Sequence, residues 1–338
     1  MLHVDLPPVG HGGVAYQVDL LAGTLATRGH DVTVFITHEP PAGRPYRTVG
    51  LPLSFRSPAL RRQLGPPKAF ASAELGGFDV VHAHGDDWAV PRRVPRVRTF
   101  HGTALMECLT ATSWARRGAQ LLQYGLEWLA GARASTSVSV SHHTRRYLPF
   151  VTRCIPNAFD PDVFSAGSRP DGPPTILFVA GSLRGRKRGG MMLDAFAAVR
   201  RVIPDAELHI VSPERVDAPG VVCHQALDPP ELARLYRRSW LLCSTSSYEG
   251  FGIPYIEAMA SGVPVVSTPN PGAQEILEGG RLGILSPPSE LSDRLIGMLH
   301  DDGDRQRLTD SGLEAAGRYA APAVAATYER VYEEVRRT

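Results

Sequence analysis

Several features that would each settle a protein's class are scarce in this chain. Its 338 residues include four cysteines, Cys108, Cys154, Cys223 and Cys243, widely spaced and without a CxxC pair. That spacing writes neither a disulfide framework nor a zinc site, and the thiols read as core. No apolar run approaches the ~20 residues that a membrane span needs, and no signal peptide precedes Pro7, so a cytoplasmic protein is expected. A net charge of +2 lacks the basic excess of a nucleic-acid binder. Lysine is almost missing: of 36 basic residues only Lys68 and Lys187 are lysines.

What remains is ordinary for a globular enzyme of about two domains, with 43% hydrophobic and 21% charged residues. The charge is unevenly placed. Residues 1–160 hold 17 Lys or Arg against 11 Asp or Glu, and the remainder holds 19 against 23. A basic first half suits peripheral contact with anionic lipid or an acidic acceptor, although an imbalance of this size also arises incidentally.

The most informative stretch is 249–266, EGFGIPYIEAMASGVPVV. Trp240–Ser244 before it is a short apolar run, the mark of a buried parallel strand, so 246–252 is a strand-to-helix turn, where open α/β sheets bind ligands. Gly250 and Gly252 flank Phe251 and let the backbone approach a ligand closely. Pro254 suits the first turn of a helix, whose unpaired amides, from Phe251 to Ile253, make a pocket for phosphate. Glu249 and Glu257 add carboxylates whose paired oxygens match neighbouring hydroxyls of a ribose or hexose. Phosphate amides beside two diol acceptors describe a sugar nucleotide, and the plainer alternative is an N-capping Glu249 with a solvated Glu257.

This run resembles glycosyltransferase family 4, the retaining glycosyltransferases of the GT-B fold. Their signature is two glutamates separated by seven residues, with Gly-Phe-Gly after the first and Ala-Met-Ala-x-Gly-x-Pro after the second, as in Ala258–Pro264 here. The resemblance implies an α/β protein of two Rossmann-like doubly wound domains facing across a cleft. It further implies that Glu257 holds the ribose hydroxyls, and that Glu249 lies by the transferred sugar.

In chain order, Leu2–Leu6 is an expected first strand, Gly10, Gly12 and Gly13 a glycine-rich turn, and Val14 to Leu25 a helix stopped by Gly29. Val32–Thr37 completes a βαβ unit. Gly10, Gly12 and Ala15 also fit G-x-G-x-x-A, which would suit an NAD-dependent enzyme, but no acidic residue directly ends the second strand. By the resemblance, Gly12 and Gly13 pass close to donor diphosphate and acceptor. Pro40–Pro67 reads as loop with short helical pieces on the acceptor side. Asp79–His84 is a strand whose His82 and His84, with Asp86, could suggest a metal site but read as structure. Strand Val97–Gly102 presents His101, which among relatives sits beside the transferred sugar. Residues 111–131 form a helical pattern whose Trp114, Leu121, Leu122, Trp128 and Leu129 read as core.

A Gly- and Pro-rich stretch separates residues 1–160, an acceptor-side domain, from 175–321, the donor domain, with 161–174 as linker. Ile155–Phe164 resembles the family's Pro-Asn-Gly linker, with Ala158 in place of the glycine. Residues 322–338 are expected to cross back to the first domain as a helix. After strand Thr175–Ala180 comes GSLRGRKRGG, whose cations can neutralise a diphosphate without a metal. Many relatives write an arginine where Ser182 stands, so its role passes to Arg186, with Arg184 the fallback beside Lys187.

The expected activity is transfer of a hexose-type sugar from a nucleotide diphosphate sugar to a hydroxyl of a natural product, lipid or glycan. No metal or other cofactor and no nucleic acid is expected to take part. No Asp or Glu stands out as a nucleophile, and the resemblance implies front-face attack. The rivals are a sugar-nucleotide epimerase of the same architecture, an NAD-dependent enzyme and a catalytically dead subunit.

Overall fold

A computed structural model of the chain describes all residues except 9–11, 93, 111–112, 168–171 and 338, and all their side chains except those of 58, 59 and 110. Gly10 and part of the Gly- and Pro-rich linker therefore lie outside the described residues. The chain divides into two compact units, Met1–Ala158 with Ala321–Thr338, and Phe159–Ala320. No helix among the described residues is long and apolar enough to cross a membrane.

The first unit is a parallel sheet covered by helices. Thr33–Ile36 pairs with Arg47–Gly50, and Val81–Ala83, Arg96–Phe100, Thr136–Ser139 and Arg153–Cys154 follow one another in a second parallel set. Leu2 joins the two sets by bridging to Phe35 and to Ala83. Only Leu2 of the expected Leu2–Leu6 strand is laddered on both sides, and the chain soon reaches Pro7 and Pro8, which have no N–H to extend it. Helix Gly13–Thr27 buries Ala15, Val18, Leu21 and Leu25, and helix Ala321–Arg337 buries Val324, Tyr328, Val331 and Val335. Leu21, Leu25, Val97, Val138, Tyr328 and Val331 belong to one buried cluster.

Two expectations fail in this unit. Pro40–Pro67 is more than loop with short helical pieces: it also holds the strand Arg47–Gly50, and its helical part is most of one long helix, Pro58–Ala71, which contains Pro66 and Pro67. Prolines of that kind normally stop a helix, and the half-exposed strand shows no alternation, so neither element announces itself. The helix expected over 111–131 is present as Trp114–Arg133, preceded by a helix Ala104–Thr110 that no pattern announced, but the apolar residues of Trp114–Arg133 are not core. Trp114 is 83% and Leu122 67% exposed, whereas Glu127 and Ala130 on the same helix are buried. Periodicity finds a stripe but cannot tell which way it faces.

The second unit is a six-stranded, wholly parallel sheet in the order Ile284–Leu285, Val265–Ser267, Leu241–Ser244, Thr175–Val179, Glu207–Val211, Val221–His224. Its four inner strands bury most of their side chains, as a sheet covered on both faces requires. The chain winds outward from Thr175–Val179 in one direction and then restarts at Leu241–Ser244 in the other. The switch point therefore lies between these two neighbours, and the loops leaving their C-terminal ends, 180–188 and 245–252, frame the place where such sheets bind ligands.

Candidate active site

The two switch-point loops are tied together before any ligand arrives. Gly185, at φ +61°, starts a single 3-10 turn to Lys187, and Arg188 follows at φ +49°. Ser247 N–H donates to Arg186 O at 2.8 Å, and Thr245 Oγ1 donates to Lys187 O at 2.7 Å. Arg188 donates to Thr245 O at 2.6 Å and to Thr268 Oγ1 at 2.7 Å, anchoring the turn to two strand ends.

So held, Lys187 and Arg186 converge on Glu249. Lys187 Nζ lies 2.7 Å from Oε1 and Arg186 Nη1 3.0 Å from Oε2, while Ser246 Oγ donates to Oε1 at 2.7 Å. Burial alone would push the Glu249 carboxyl up, but Lys187, Arg186 and these hydrogen bonds override it and hold it below the usual carboxylate range. One buried acid faces two cations, and the balance is positive.

Past Glu249 the backbone needs its glycines. Gly252, at φ +108°, caps helix Ile253–Ala260, and a Cβ there would stand 2.3 Å from the Tyr255 ring. A Cβ on Gly272 would stand 2.3 Å from Phe251 O, and Gly272 N–H donates to Glu249 O at 3.0 Å. Phe251 is buried edge-on against Tyr319, its ring centroid 6.0 Å away. Gly250 and Ile253 are half-buried. Pro254, in the first turn, has no N–H and Tyr255 N–H donates to Gly252 O at 2.9 Å, so the amides without an intrahelical acceptor are those from Phe251 to Ile253.

Glu257 differs from Glu249 in environment. It is buried with Tyr236 OH donating to Oε2 at 3.1 Å, and burial pushes its carboxyl up to about 8. At neutral pH it is mostly protonated, so it offers a donor as well as acceptors, where the sequence led us to expect an ionised carboxylate.

In the first unit, Gly12 is extended and exposed at the N-cap of helix Gly13–Thr27, with nothing within 4 Å of where a Cβ would stand. His101 has both ring nitrogens engaged. Nε2 lies 3.0 Å from His84 Nδ1, and Nδ1 lies 3.2 Å from Asn157 Oδ1. Burial, then neighbouring His3, depresses it to about 3, so the ring is neutral. His82 bonds to Tyr332 OH and Thr99 Oγ1 as a structural histidine.

Residues 173–301 match the family described as glycosyl transferases group 1, and residues 11–163 match Glycosyltransferase Family 4. A phosphatidyl-myo-inositol mannosyltransferase of Mycobacterium tuberculosis (strain ATCC 25618 / H37Rv) is 31% identical, over 96% of this chain and 93% of that one. The chain belongs to glycosyltransferase family 4. A D-inositol 3-phosphate glycosyltransferase of Corynebacterium glutamicum (strain R) is 26% identical to this glycosyltransferase over 79% of this chain and 74% of that one. Its fold is GT-B. The structure of sucrose-phosphate synthase from Thermosynechococcus elongatus superposes with a TM-score of 0.82 at 21% identity, covering 99% and 98% of the two chains. WaaG, a glycosyltransferase involved in lipopolysaccharide biosynthesis, does so with 0.75 at 14% identity, covering 98% of each.

Of the residues singled out from the sequence, the glycosyltransferase brings Glu249, Lys187 and Arg186 into one cluster. Arg184 is exposed and Ser182 turns instead to Glu214, donating at 2.7 Å. Glu257 shares no hydrogen-bond partner with Glu249 among the described residues. Sequence reasoning missed Ser246, Tyr236, Arg188 and Gly272, and also His84 and Asn157 as partners of His101. The Asn-Pro-Gly run at 270–272 was a signal: Asn270 Oδ1 accepts from Ala273 N–H at 2.9 Å and its Nδ2 lies 3.3 Å from Ser246 O, beside Glu249.

Proposed function

We propose that this enzyme is a retaining transferase that moves a hexose from a nucleoside-diphosphate sugar to an acceptor hydroxyl without a metal ion. The observation that carries the reading is the Lys187–Glu249–Arg186 cluster at the switch point, with its positive balance where the fold offers a ligand site. As the bond between the sugar's anomeric carbon and the diphosphate breaks, charge develops on the leaving oxygens. Lys187, Arg186 and the amides at Phe251 to Ile253 would receive it. Glu249 holds both cations in position, so they need little reorganisation when the donor binds.

Glu257 accepts the ribose hydroxyls, and acceptor recognition falls to the first unit, with Gly12, Gly13 and His101. In front-face attack the acceptor oxygen bonds to the anomeric carbon on the side the diphosphate leaves, and the departing phosphate oxygen takes the acceptor's proton. No carboxylate nucleophile is required. The relatives named for inositol-bearing acceptors favour a cyclitol hydroxyl, free or lipid-borne, as the acceptor class.

The test is incubation with a panel of nucleotide sugars and with phosphatidylinositol or inositol phosphate, followed by NMR of the anomeric centre. Retained configuration and activity indifferent to EDTA are expected. An inverted product would overturn the retaining mechanism, EDTA loss restored by magnesium would overturn metal independence, and interconversion of donor without acceptor would indicate an epimerase.

A further inference from the structure

Helix Trp114–Arg133 is built inside out. Its exposed face runs along 114, 115, 118, 121, 122, 125, 128, 129 and 132, a seven-residue repeat that contains only apolar side chains and glycine. Trp114, Leu121, Leu122, Trp128 and Leu129 on it are 83%, 53%, 67%, 42% and 37% exposed. Glu127, on the opposite side, is buried and accepts from Ala104 N–H at 3.0 Å. A solvated helix carries the reverse pattern, polar outward and apolar inward. With Leu109 of the preceding helix, this hairpin holds six of the ten exposed large hydrophobic residues among the described residues, so they form a patch and not a scatter.

The patch is edged with arginine. Arg117 lies over the Trp114 ring at 5.0 Å, Arg116 stands on the first turn, and Arg133 closes the last. Arg92 donates to Ala132 O at the far end. Arg145 and Arg146 are exposed on helix His142–Tyr147, which Tyr124 OH ties to this one by donating to Tyr147 O at 2.5 Å. The exposed acid of the described hairpin is Glu107, 3.5 Å from Arg116. The unit as a whole holds 20 Lys or Arg against 13 Asp or Glu.

We propose that this face seats the enzyme on an anionic lipid bilayer. The apolar stripe enters the boundary between headgroups and acyl chains, the two tryptophans lie at headgroup depth, and the arginines meet lipid phosphates. A second copy of the chain fits less well. Pairing this face with itself, parallel or antiparallel, brings arginine towards arginine with no exposed acid on the stripe to answer it. The proposal stands apart from the identity of the acceptor, because it concerns where the protein rests and not what it glycosylates.

Flotation of the full chain with vesicles of phosphatidylcholine alone, and of phosphatidylcholine mixed with phosphatidylglycerol, tests it. Binding at least about tenfold stronger to the anionic vesicles is expected, with a blue shift of tryptophan emission. The Leu121→Ser, Leu122→Ser double variant should lose about tenfold in binding. Arg116→Glu with Arg117→Glu should bring anionic binding down to the zwitterionic level, while Val202→Ser, at an exposed apolar site on the other unit, should change nothing. Leu121, Leu122, Arg116 and Val202 are exposed and Arg117 is half-buried over the Trp114 ring, itself at the surface, so the variants should keep the wild-type circular dichroism and melting point. Equal flotation of all variants would overturn the proposal. So would a lipid-free dimer that the Leu121→Ser, Leu122→Ser variant dissolves, which would assign the face to a second copy.

Discussion

Glu249 and Glu257 are both nearly buried, yet their surroundings drive them to opposite protonation states. The first is kept ionised by Lys187 and Arg186, and the second, with only a tyrosine hydroxyl for company, rises to about 8. Lys187→Ala should therefore leave the fold intact and lower turnover by at least about 100-fold, since it removes the more buried of the two cations proposed to meet the leaving group. Undiminished turnover would reject that role. If Glu257 must ionise to accept two ribose hydroxyls, donor binding releases a proton from it. Affinity for a nucleotide sugar should then climb roughly tenfold per unit between pH 6 and 7 and level off above pH 8. Glu257→Gln should flatten that profile, and titration calorimetry in buffers of different ionisation enthalpy would count the proton. The acids and cations were legible from the sequence because their spacing brackets a strand-to-helix turn. Ser246, Tyr236 and Asn157 were not, because a hydroxyl or amide earns a partner only when tertiary packing brings one.

The turns that position these groups tolerate little change. Gly252 combines a positive φ with a ring 2.3 Å from any added Cβ. Gly252→Ala should cost roughly 1–3 kcal/mol and weaken donor binding together with stability, read from chemical denaturation and calorimetry. Normal stability in that variant would mean that the helix start adjusts. The buried parallel strands were readable as short apolar runs, since both of their faces meet helices. Less readable were Arg47–Gly50, half-exposed and without alternation, and the helix Pro58–Ala71, disguised by two prolines. Helix Trp114–Arg133 was found as a helix but assigned the wrong inner face, because an apolar stripe looks the same whether protein or something else covers it.

Across the two units, acid should act in opposite senses. In the first, burial depresses His3 to about 4 and His101 to about 3, and holds His82 and His84 well below the ordinary histidine value. The folded unit refuses protons that the unfolded chain accepts, so stability is complete above about pH 6.5 and drains as pH falls toward 4. Each histidine contributes up to about 1.4 kcal/mol per pH unit, and Glu127, raised to about 7, offsets part of this. In the second unit the raised Glu257 has the reverse sign: its contribution grows as pH falls from about 8 toward 4.5. Calorimetry between pH 7.5 and 5 should show the first unit's transition moving down while the second's holds or rises, and parallel shifts would refute the assignment.

The chain enters and leaves the second unit at adjacent points, Phe159 bridging to Ala320, and only then lays down the helix Ala321–Arg337 that closes the first unit's core. The two units are therefore completed in the reverse of the order in which they are begun. The second unit is complete once its own residues have emerged, while the first must wait, its core open to chaperones and proteases, until helix Ala321–Arg337 has been made.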